Sequence, residues 1–118
     1  MRVLKFGGTS VGNAENLNKV VTIVKKSLSS DSIIVVVSAL GGTTDALIDT
    51  VRAASLRNDS FKDTLKNIEK RHLQTVNELM PVDQQSSTLG FVKKHFNEIE
   101  NICEGVYLLQ ELSPRTLD

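Results

Sequence analysis

The sequence predicts an α/β fold built on one strand-helix-strand unit, and three observations support this prediction. A short apolar stretch, 3–6, which we expect to be a buried strand, leads into a glycine turn and then into residues whose apolar positions recur with the period of an α-helix. The stretch 33–37 is continuous, apolar and β-branched, which is typical of a strand in a parallel sheet covered on both faces. The second half of the chain has helical periodicity throughout. We expect the crossover between the two strands to be right-handed.

Charge and composition exclude several classes of protein. Lysine plus arginine and aspartate plus glutamate are balanced at 14 each, so no net field attracts nucleic acid. The longest apolar run, 33–37, is far too short to cross a bilayer, and the N-terminal apolar run is too short for a signal peptide. The single cysteine, Cys103, excludes an internal disulfide. We therefore expect a cytoplasmic protein without a nucleic-acid or membrane partner.

The first half of the chain is expected to form strands 3–6 and 33–37 and helices 14–28 and 44–56. Asn13 suits the N-cap of the first helix, because its side chain can accept a hydrogen bond from the first turn. The apolar positions of that helix lie on one face. They are Leu17, Val20, Val21, Val24 and Leu28.

The second half is expected to form an antiparallel pair of helices. The first covers 61–80 and ends at Pro81. The second opens at 83–87, and Gly105 weakens or ends it before a further helical stretch, 106–112. His72 falls on the apolar face of its helix, where a packed, hydrogen-bonded histidine is the expected outcome. The facing stripes are Phe61, Leu65, Ile68, Val76 and Leu79, and Leu89, Val92, Phe96, Ile99 and Cys103.

Only two strands are predicted, and a two-stranded sheet is at best marginally stable alone. We therefore expect this chain to be the N-terminal piece of a longer protein, or to complete its sheet by self-association. Within it, we assign residues 1–56 to the portion that carries the glycine loops and residues 57–118 to a helical insert.

The strongest functional signal follows the first strand. Lys5 stands near the strand end, and Gly7-Gly8-Thr9-Ser10 separates the strand from a helix N-terminus. Glycines let a phosphoryl group approach the backbone, hydroxyls add donors, and helix N-termini attract anions. We expect the ammonium of Lys5 to point over this loop and to neutralise phosphoryl charge.

Two common phosphate-binding motifs do not fit. Gly7 and Gly12 have the separation of a P-loop, but Asn13 stands where that motif requires lysine. The dinucleotide-binding pattern needs one residue between its first two glycines, whereas Gly7 and Gly8 are adjacent. Here the lysine precedes the glycines.

That order resembles the N-terminal signature of the aspartokinases over Val3–Val11. The stretch 36–45, Val-Val-Ser-Ala-Leu-Gly-Gly-Thr-Thr-Asp, resembles the second loop of that family. The stretches 1–6 and 108–112 resemble the bifunctional aspartokinase–homoserine dehydrogenases. The resemblance implies a three-layer αβα amino-acid-kinase-like fold of which only the N-terminal part is present. It also implies transfer of the ATP γ-phosphoryl group to the β-carboxylate of L-aspartate, with Mg²⁺.

The resemblance also implies roles for particular residues. Lys5 corresponds to the catalytic lysine and also contacts the ATP phosphates. Ser38 and Thr44 correspond to positions that contact aspartate, with Thr44 the better candidate. No metal ligands are assigned. The remaining phosphate-contacting positions are Gly7, Gly8, Thr9 and Ser10.

The resemblance further implies that the glutamate that holds the substrate amine, and the adenine-binding half, lie beyond Asp118. We therefore expect this chain to be inactive alone and its parent to be a homo-oligomer. NADP would be a cofactor only if a dehydrogenase domain follows.

Two alternatives stay open. The parent could phosphorylate another small acid or nucleotide, such as glutamate, N-acetylglutamate or UMP. The helical pair could instead form a non-catalytic assembly module. At single residues, Lys5 could be an ordinary strand residue, Ser38 could simply end its strand, and Thr44 could cap a helix.

Overall fold

The computed structural model describes residues 1–117, with side chains described through residue 110; Asp118 lies outside the described residues. The fold is α/β, with two parallel strands and four α-helices. Strand and helix bounds agree with the predicted ones to within one residue for both strands and for the first three helices. The elements are β1 (Arg2–Phe6), α1 (Ala14–Leu28), β2 (Ile33–Val37), α2 (Thr43–Ser55), α3 (Phe61–Leu79), a short 3₁₀ turn (Val82–Gln84) and α4 (Ser86–Leu117).

The two strands pair in parallel, which confirms the predicted strand-helix-strand unit. Arg2 lies opposite Ile33 and Phe6 lies opposite Val37. Main-chain hydrogen bonding continues past the second strand, where the N–H of Ser38 donates to the carbonyl of Phe6 at 3.0 Å. The carboxyl ends of both strands therefore lie at the same edge of the sheet.

The prediction that both strands are buried was wrong for the described part of the chain. Val3 is 61% exposed and Val37 is 56% exposed. The physical reason lies in the distribution of contacts. Helix α1 packs on β2, whereas α2, α3 and α4 pack mainly on one another. The apolar strand residues are thus left without a second covering layer among residues 1–117.

The core lies between α2, α3 and α4. One cluster joins Ala54, Phe61 and Cys103, and burial raises the pKa of the Cys103 thiol. A second cluster joins Leu65, Ile68 and Phe96. The start of α3 meets the later part of α4, and the middle of α3 meets the earlier part of α4. This order confirms the predicted antiparallel pair.

His72 is packed and hydrogen-bonded, as predicted. Its Nδ1 lies 2.8 Å from the carbonyl oxygen of Ile68, and its ring contacts the Phe96 ring edge-on at 5.3 Å between centroids. Among the described residues, no helix is both long enough and apolar enough to cross a membrane.

The predicted interruption at Gly105 was wrong, because α4 passes through it. Gly105 is exposed, but its neighbours are not. Cys103 is buried against Phe61 and Ala54, and Val106 and Tyr107 pack on the same cluster. A glycine costs a helix about 1 kcal/mol, and the burial on both sides of it outweighs that cost.

The turn between α2 and α3 packs against α4. Arg57 has φ 56°, and its N–H donates to Ala54 while the N–H of Asn58 donates to Ala53, the hydrogen-bond pattern of a Schellman motif. The Arg57 guanidinium lies 5.3 Å from the centre of the Tyr107 ring. A hydrogen bond to Asp59 raises the pKa of the Tyr107 hydroxyl.

Truncating the fully buried Phe61 should destabilise the chain strongly. We expect Phe61→Ala to lower the free energy of unfolding by about 3–5 kcal/mol, because it removes the ring shared by α2, α3 and α4. Phe91→Ala is the matched control, since Phe91 is 64% exposed. Urea unfolding followed by circular dichroism measures both. Equal losses in the two variants would contradict the assigned core.

The raised pKa of Tyr107 predicts a stability change in alkali. Folding strengthens proton binding by this phenol, so its contribution is complete below pH ~10 and is lost as the pH rises above that value. We expect the free energy of unfolding to fall more steeply between about pH 9.5 and 11 in the wild type than in Tyr107→Phe. The two proteins differ at no other ionisable group. If the free energy of unfolding fell equally with pH in the two proteins, this contribution of Tyr107 to stability would be excluded.

Candidate functional site

The candidate site is built from two loops that follow the parallel strands. We call residues 7–13 the first glycine loop and residues 38–42 the second glycine loop. Each connects the carboxyl end of a strand to a helix N-terminus, α1 in one case and α2 in the other. Ligands of open parallel sheets bind at this edge.

The two loops touch through their backbones at Gly8 and Gly41. A Cβ added at Gly41 would lie 2.9 Å from the carbonyl oxygen of Gly8, and one added at Gly8 would lie 3.4 Å from the Cα of Gly41. The first distance is too short for any side chain, so Gly41 has to be glycine. The same position would lie 3.8 Å from the Cα of Gly12. The two glycine loops are therefore in direct contact.

The first glycine loop is held by hydrogen bonds from the start of α1. Asn13 is the N-cap, as predicted, and its Oδ1 accepts from the N–H of Asn16 at 2.8 Å. The side-chain amide of Asn16 donates to the carbonyl of Thr9 at 3.0 Å. The N–H of Gly12 also donates to Thr9, at 3.3 Å. These bonds leave Thr9 and Ser10 exposed at the outside of the turn.

The second glycine loop turns into α2 through Gly42, whose φ of 81° suits glycine. No side-chain hydrogen bond caps α2. Thr43 is buried, and its hydroxyl has no hydrogen-bond partner among the described residues. Thr44 is exposed in the first turn of α2. The N-terminus of α2 therefore presents a hydroxyl and uncapped backbone to this edge of the sheet.

Thr9 and Ser10 line an open groove of about 320 Å³ between the first glycine loop and α1. Phe6 and Val20 form part of its apolar wall. Lys5 does not line this groove. It alternates with Phe6 along β1, and it is exposed whereas Phe6 is half-buried, so the lysine lies on the opposite face of the strand pair.

The structure thus brings some of the predicted site residues together and separates others. A Cβ at Gly8 would lie 3.8 Å from Oγ of Ser38, so the Ser38 side chain lies beside the first glycine loop. Lys5 and Thr44 are both exposed, and they lie at the same sheet edge but not in the groove of Thr9 and Ser10. The roles assigned to these residues remain predictions.

Sequence reasoning missed Arg71, which contacts both loops from α3. Its Nη1 donates to the carbonyl of Gly41 at 2.6 Å, and its Nη2 donates to the carbonyl of Gly12 at 2.7 Å. Nothing in the helical pattern of α3 indicates this role, because the helix also carries exposed lysines and periodicity marks only apolar positions. Arg71 belongs to the part of the chain that we assigned to the helical insert.

Electrostatics favour an anion at this edge. Helices α1 and α2 both begin at this edge, and the N-terminus of each contributes a partial positive charge and N–H donors. The Arg71 guanidinium contacts both loops from the side of α3. Among residues 1–110 it has no carboxylate within ion-pair distance. Its charge therefore adds to that of the helix ends instead of being neutralised locally.

Comparison with known proteins identifies a family. The model of the amino acid kinase family matches residues 1–102. Among curated proteins, the bifunctional aspartokinase/homoserine dehydrogenase of Buchnera aphidicola is 32% identical over 114 residues, which is 94% of this chain and 14% of the relative. Two proteins of Arabidopsis thaliana are also similar.

The first of these, a chloroplastic bifunctional aspartokinase/homoserine dehydrogenase, is 34% identical over 106 residues, 90% of this chain and 12% of the relative. The second, a chloroplastic aspartokinase, is 30% identical over 119 residues, 98% of this chain and 20% of the relative. This chain therefore spans a fifth or less of the length of these relatives.

Introducing a methyl group at Gly41 should force the two loops apart. We expect Gly41→Ala to lower the free energy of unfolding by about 1–3 kcal/mol, because the new Cβ meets backbone that cannot rotate away. Gly90→Ala is the control. A Cβ at Gly90 meets nothing within 4 Å, so this helical substitution should be stabilising by up to about 1 kcal/mol. Urea unfolding measures both, and an unchanged or raised stability of Gly41→Ala would contradict the contact.

Proposed function

The chain belongs to the amino acid kinase family, and on this basis we propose that it forms the phosphate and acceptor edge of an aspartate kinase. The reaction would transfer the γ-phosphoryl group of ATP to the β-carboxylate of L-aspartate. The observation that carries the proposal is the backbone contact of two glycine loops at the N-termini of α1 and α2. The names of the relatives, aspartokinase in each case, support the choice of acceptor.

In this proposal the first glycine loop binds the phosphates of ATP. Phosphoryl transfer depends on positioning and on stabilising the charge of the phosphoryl oxygens. The backbone of Gly7 and Gly8 would approach the phosphates, and the exposed hydroxyls of Thr9 and Ser10 would donate hydrogen bonds. Lys5, exposed on β1, would supply a mobile positive charge that reaches the phosphates from the other face of the strand.

The acceptor would bind at the second glycine loop. Thr44 is exposed in the first turn of α2, where a hydroxyl and the helix N-terminus together suit a carboxylate. Ser38 lies beside Gly8 and would contact both substrates. The direct contact of the loops would hold the acceptor carboxylate near the phosphates, and such proximity accounts for much of the rate of group transfer.

Magnesium would reach this edge bound to the phosphates. Among the described residues no group of three or more histidine, cysteine, aspartate or glutamate side chains could hold a metal ion. Mg²⁺ typically keeps several waters and binds substrate phosphates together with one or two carboxylates. When present, it would neutralise phosphate charge; the residues described here would position the phosphates and the acceptor.

The 118-residue chain is proposed to be one part of this site. It spans 12–20% of the relatives compared above, and we propose that the amine-binding glutamate and the adenine contacts lie outside it. The exposed valines of β2 would then meet further strands of the same sheet. The cytoplasmic location and the homo-oligomeric state remain predictions from composition and resemblance.

A second candidate is a kinase of the same family with another acceptor, such as glutamate, N-acetylglutamate or UMP. The family match over residues 1–102 does not specify the acceptor. A third candidate, an assembly module, draws on the exposed apolar residues of α4, among them Ile102 and Leu109. A monodisperse monomer in light scattering would count against it.

Removing the Lys5 ammonium should slow phosphoryl transfer. In the product of the complete open reading frame that encodes this chain, we expect Lys5→Ala to lower kcat about 10²–10³-fold, with a smaller change in KM for aspartate. Lys25→Ala, an exposed lysine in the last turn of α1, is the control. The assay measures aspartate-dependent ATP turnover, with glutamate, N-acetylglutamate and UMP in parallel.

Normal turnover by Lys5→Ala would exclude the proposed role of Lys5. Wild-type activity with another acceptor but not with aspartate would favour the second candidate. The 118-residue chain tested in the same assay should form no aspartyl phosphate.

A further inference from the structure

We propose that Arg71 is a positioning residue that fixes the first glycine loop relative to the second. We call Arg71 together with the carbonyl groups of Gly12 and Gly41 the Arg71 bridge. The catalytic consequence of this bridge rests on the proposed function, whereas its effect on the two loops does not.

The geometry of the bridge depends on the planar shape of the guanidinium group. Its two terminal nitrogens donate to different loops, at 2.6 Å to Gly41 and 2.7 Å to Gly12. Both nitrogens belong to one rigid planar group, so the two carbonyl oxygens are held at a separation that this group defines. A charged donor also makes each hydrogen bond stronger than a neutral one.

Fixing the two carbonyls also orients the peptide groups that carry them. In a planar trans peptide, the N–H of the next residue points opposite to the carbonyl, and the described chain contains no cis peptide. The N–H groups of Asn13 and Gly42 therefore point away from Arg71 and from α3. These are the N–H groups at the entries of α1 and α2, where an anionic substrate would find its donors.

The anchor of Arg71 is itself rigid. Helix α3 is buried at Leu65 and Ile68 against α2 and α4, and the carbonyl of Arg71 accepts a hydrogen bond from Thr75 at 2.8 Å. Arg71 is 30 residues from Gly41 and 59 residues from Gly12 in the sequence. The bridge therefore holds both loops at a fixed position relative to the helical core, and no contact within either loop could do this.

A lysine could not replace this geometry. An ammonium is a point donor on a flexible chain, without the paired, fixed directions of a guanidinium. We therefore expect Arg71→Lys to retain the hydrogen bond to one loop and to lose the defined separation. Arg71→Gln should lose the charge and both bonds.

The first test measures the loops in the 118-residue chain. Backbone amide spectra and ¹⁵N relaxation are recorded for the wild type, Arg71→Lys, Arg71→Gln and the control Arg52→Gln, an exposed helical arginine paired with Asp49 at 3.8 Å. We expect Arg71→Gln to shift the Asn13 and Gly42 amides and to lower the order parameters of Gly12 and Gly41 below about 0.6. Arg71→Lys should be intermediate, and Arg52→Gln should match the wild type.

Unchanged loop amides in Arg71→Gln would overturn the proposal. Equal loosening of the loops and of the buried cluster around Ile68 would also overturn it, because Arg71 would then support the fold in general and not the loops.

The second test measures catalysis in the product of the complete open reading frame. If the proposed function holds, Arg71→Gln should lower kcat about 10²-fold, as expected for misplaced reacting groups, with Arg71→Lys between it and the wild type. A merely structural role would reduce the folded fraction and leave kcat per folded molecule unchanged, so Tm and active-site concentration are measured in parallel.

The outcomes separate the two proposals. A wild-type enzyme that is inactive with aspartate contradicts the proposed function, while the loop measurements still decide whether the bridge exists. An active wild type whose Arg71→Gln variant has loosened loops but normal kcat overturns the positioning role.

Discussion

The contact between the backbones of Gly8 and Gly41 is the constraint on which the candidate site depends. It brings the two strand-to-helix turns into direct contact, and it requires that the second turn carry no side chain at Gly41. The parallel pairing of β1 and β2 brings both turns to one edge of the sheet. The Arg71 bridge then sets the orientation of their peptide groups.

The buried core and the candidate site lie in different parts of the fold. The buried residues concentrate between α2, α3 and α4, where Phe61 and Cys103 are fully buried. The strand pair contributes little to that core, and its valines remain exposed. Arg71 connects the two parts, since it extends from the well-packed α3 to loops that have few buried side chains of their own.

Sequence patterns predicted most of the helix and strand bounds, because neighbouring residues determine where these elements begin and end. The 3.6-residue period and the Asn13 cap defined α1 to the residue. The start of α2 differs by one residue because Gly42 adopts a left-handed conformation that ends the loop there. The family resemblance, carried by Lys5 and the glycines that follow, agrees with the match over residues 1–102.

Features that depend on distant partners could not be predicted in this way. Gly105 continues a helix because its neighbours in α4 are buried against α3. The exposure of Val37 reflects how few elements cover β2. Arg71 looks like one more charge on a helix surface until its acceptors, 30 and 59 residues away, are known. The face on which Lys5 lies follows from strand alternation, but the groove on the other face does not.

The sequence separations within the Arg71 bridge imply an order of assembly. Helices and their caps form from neighbouring residues, whereas joining residues 12, 41 and 71 requires closure of long loops and the prior docking of α3. We therefore expect this edge of the sheet to be completed among the last steps of folding. Partly folded chains would contain most of the helices yet lack the proposed anion site in organised form, so phosphate binding at that site would report on completed tertiary structure better than helix content does.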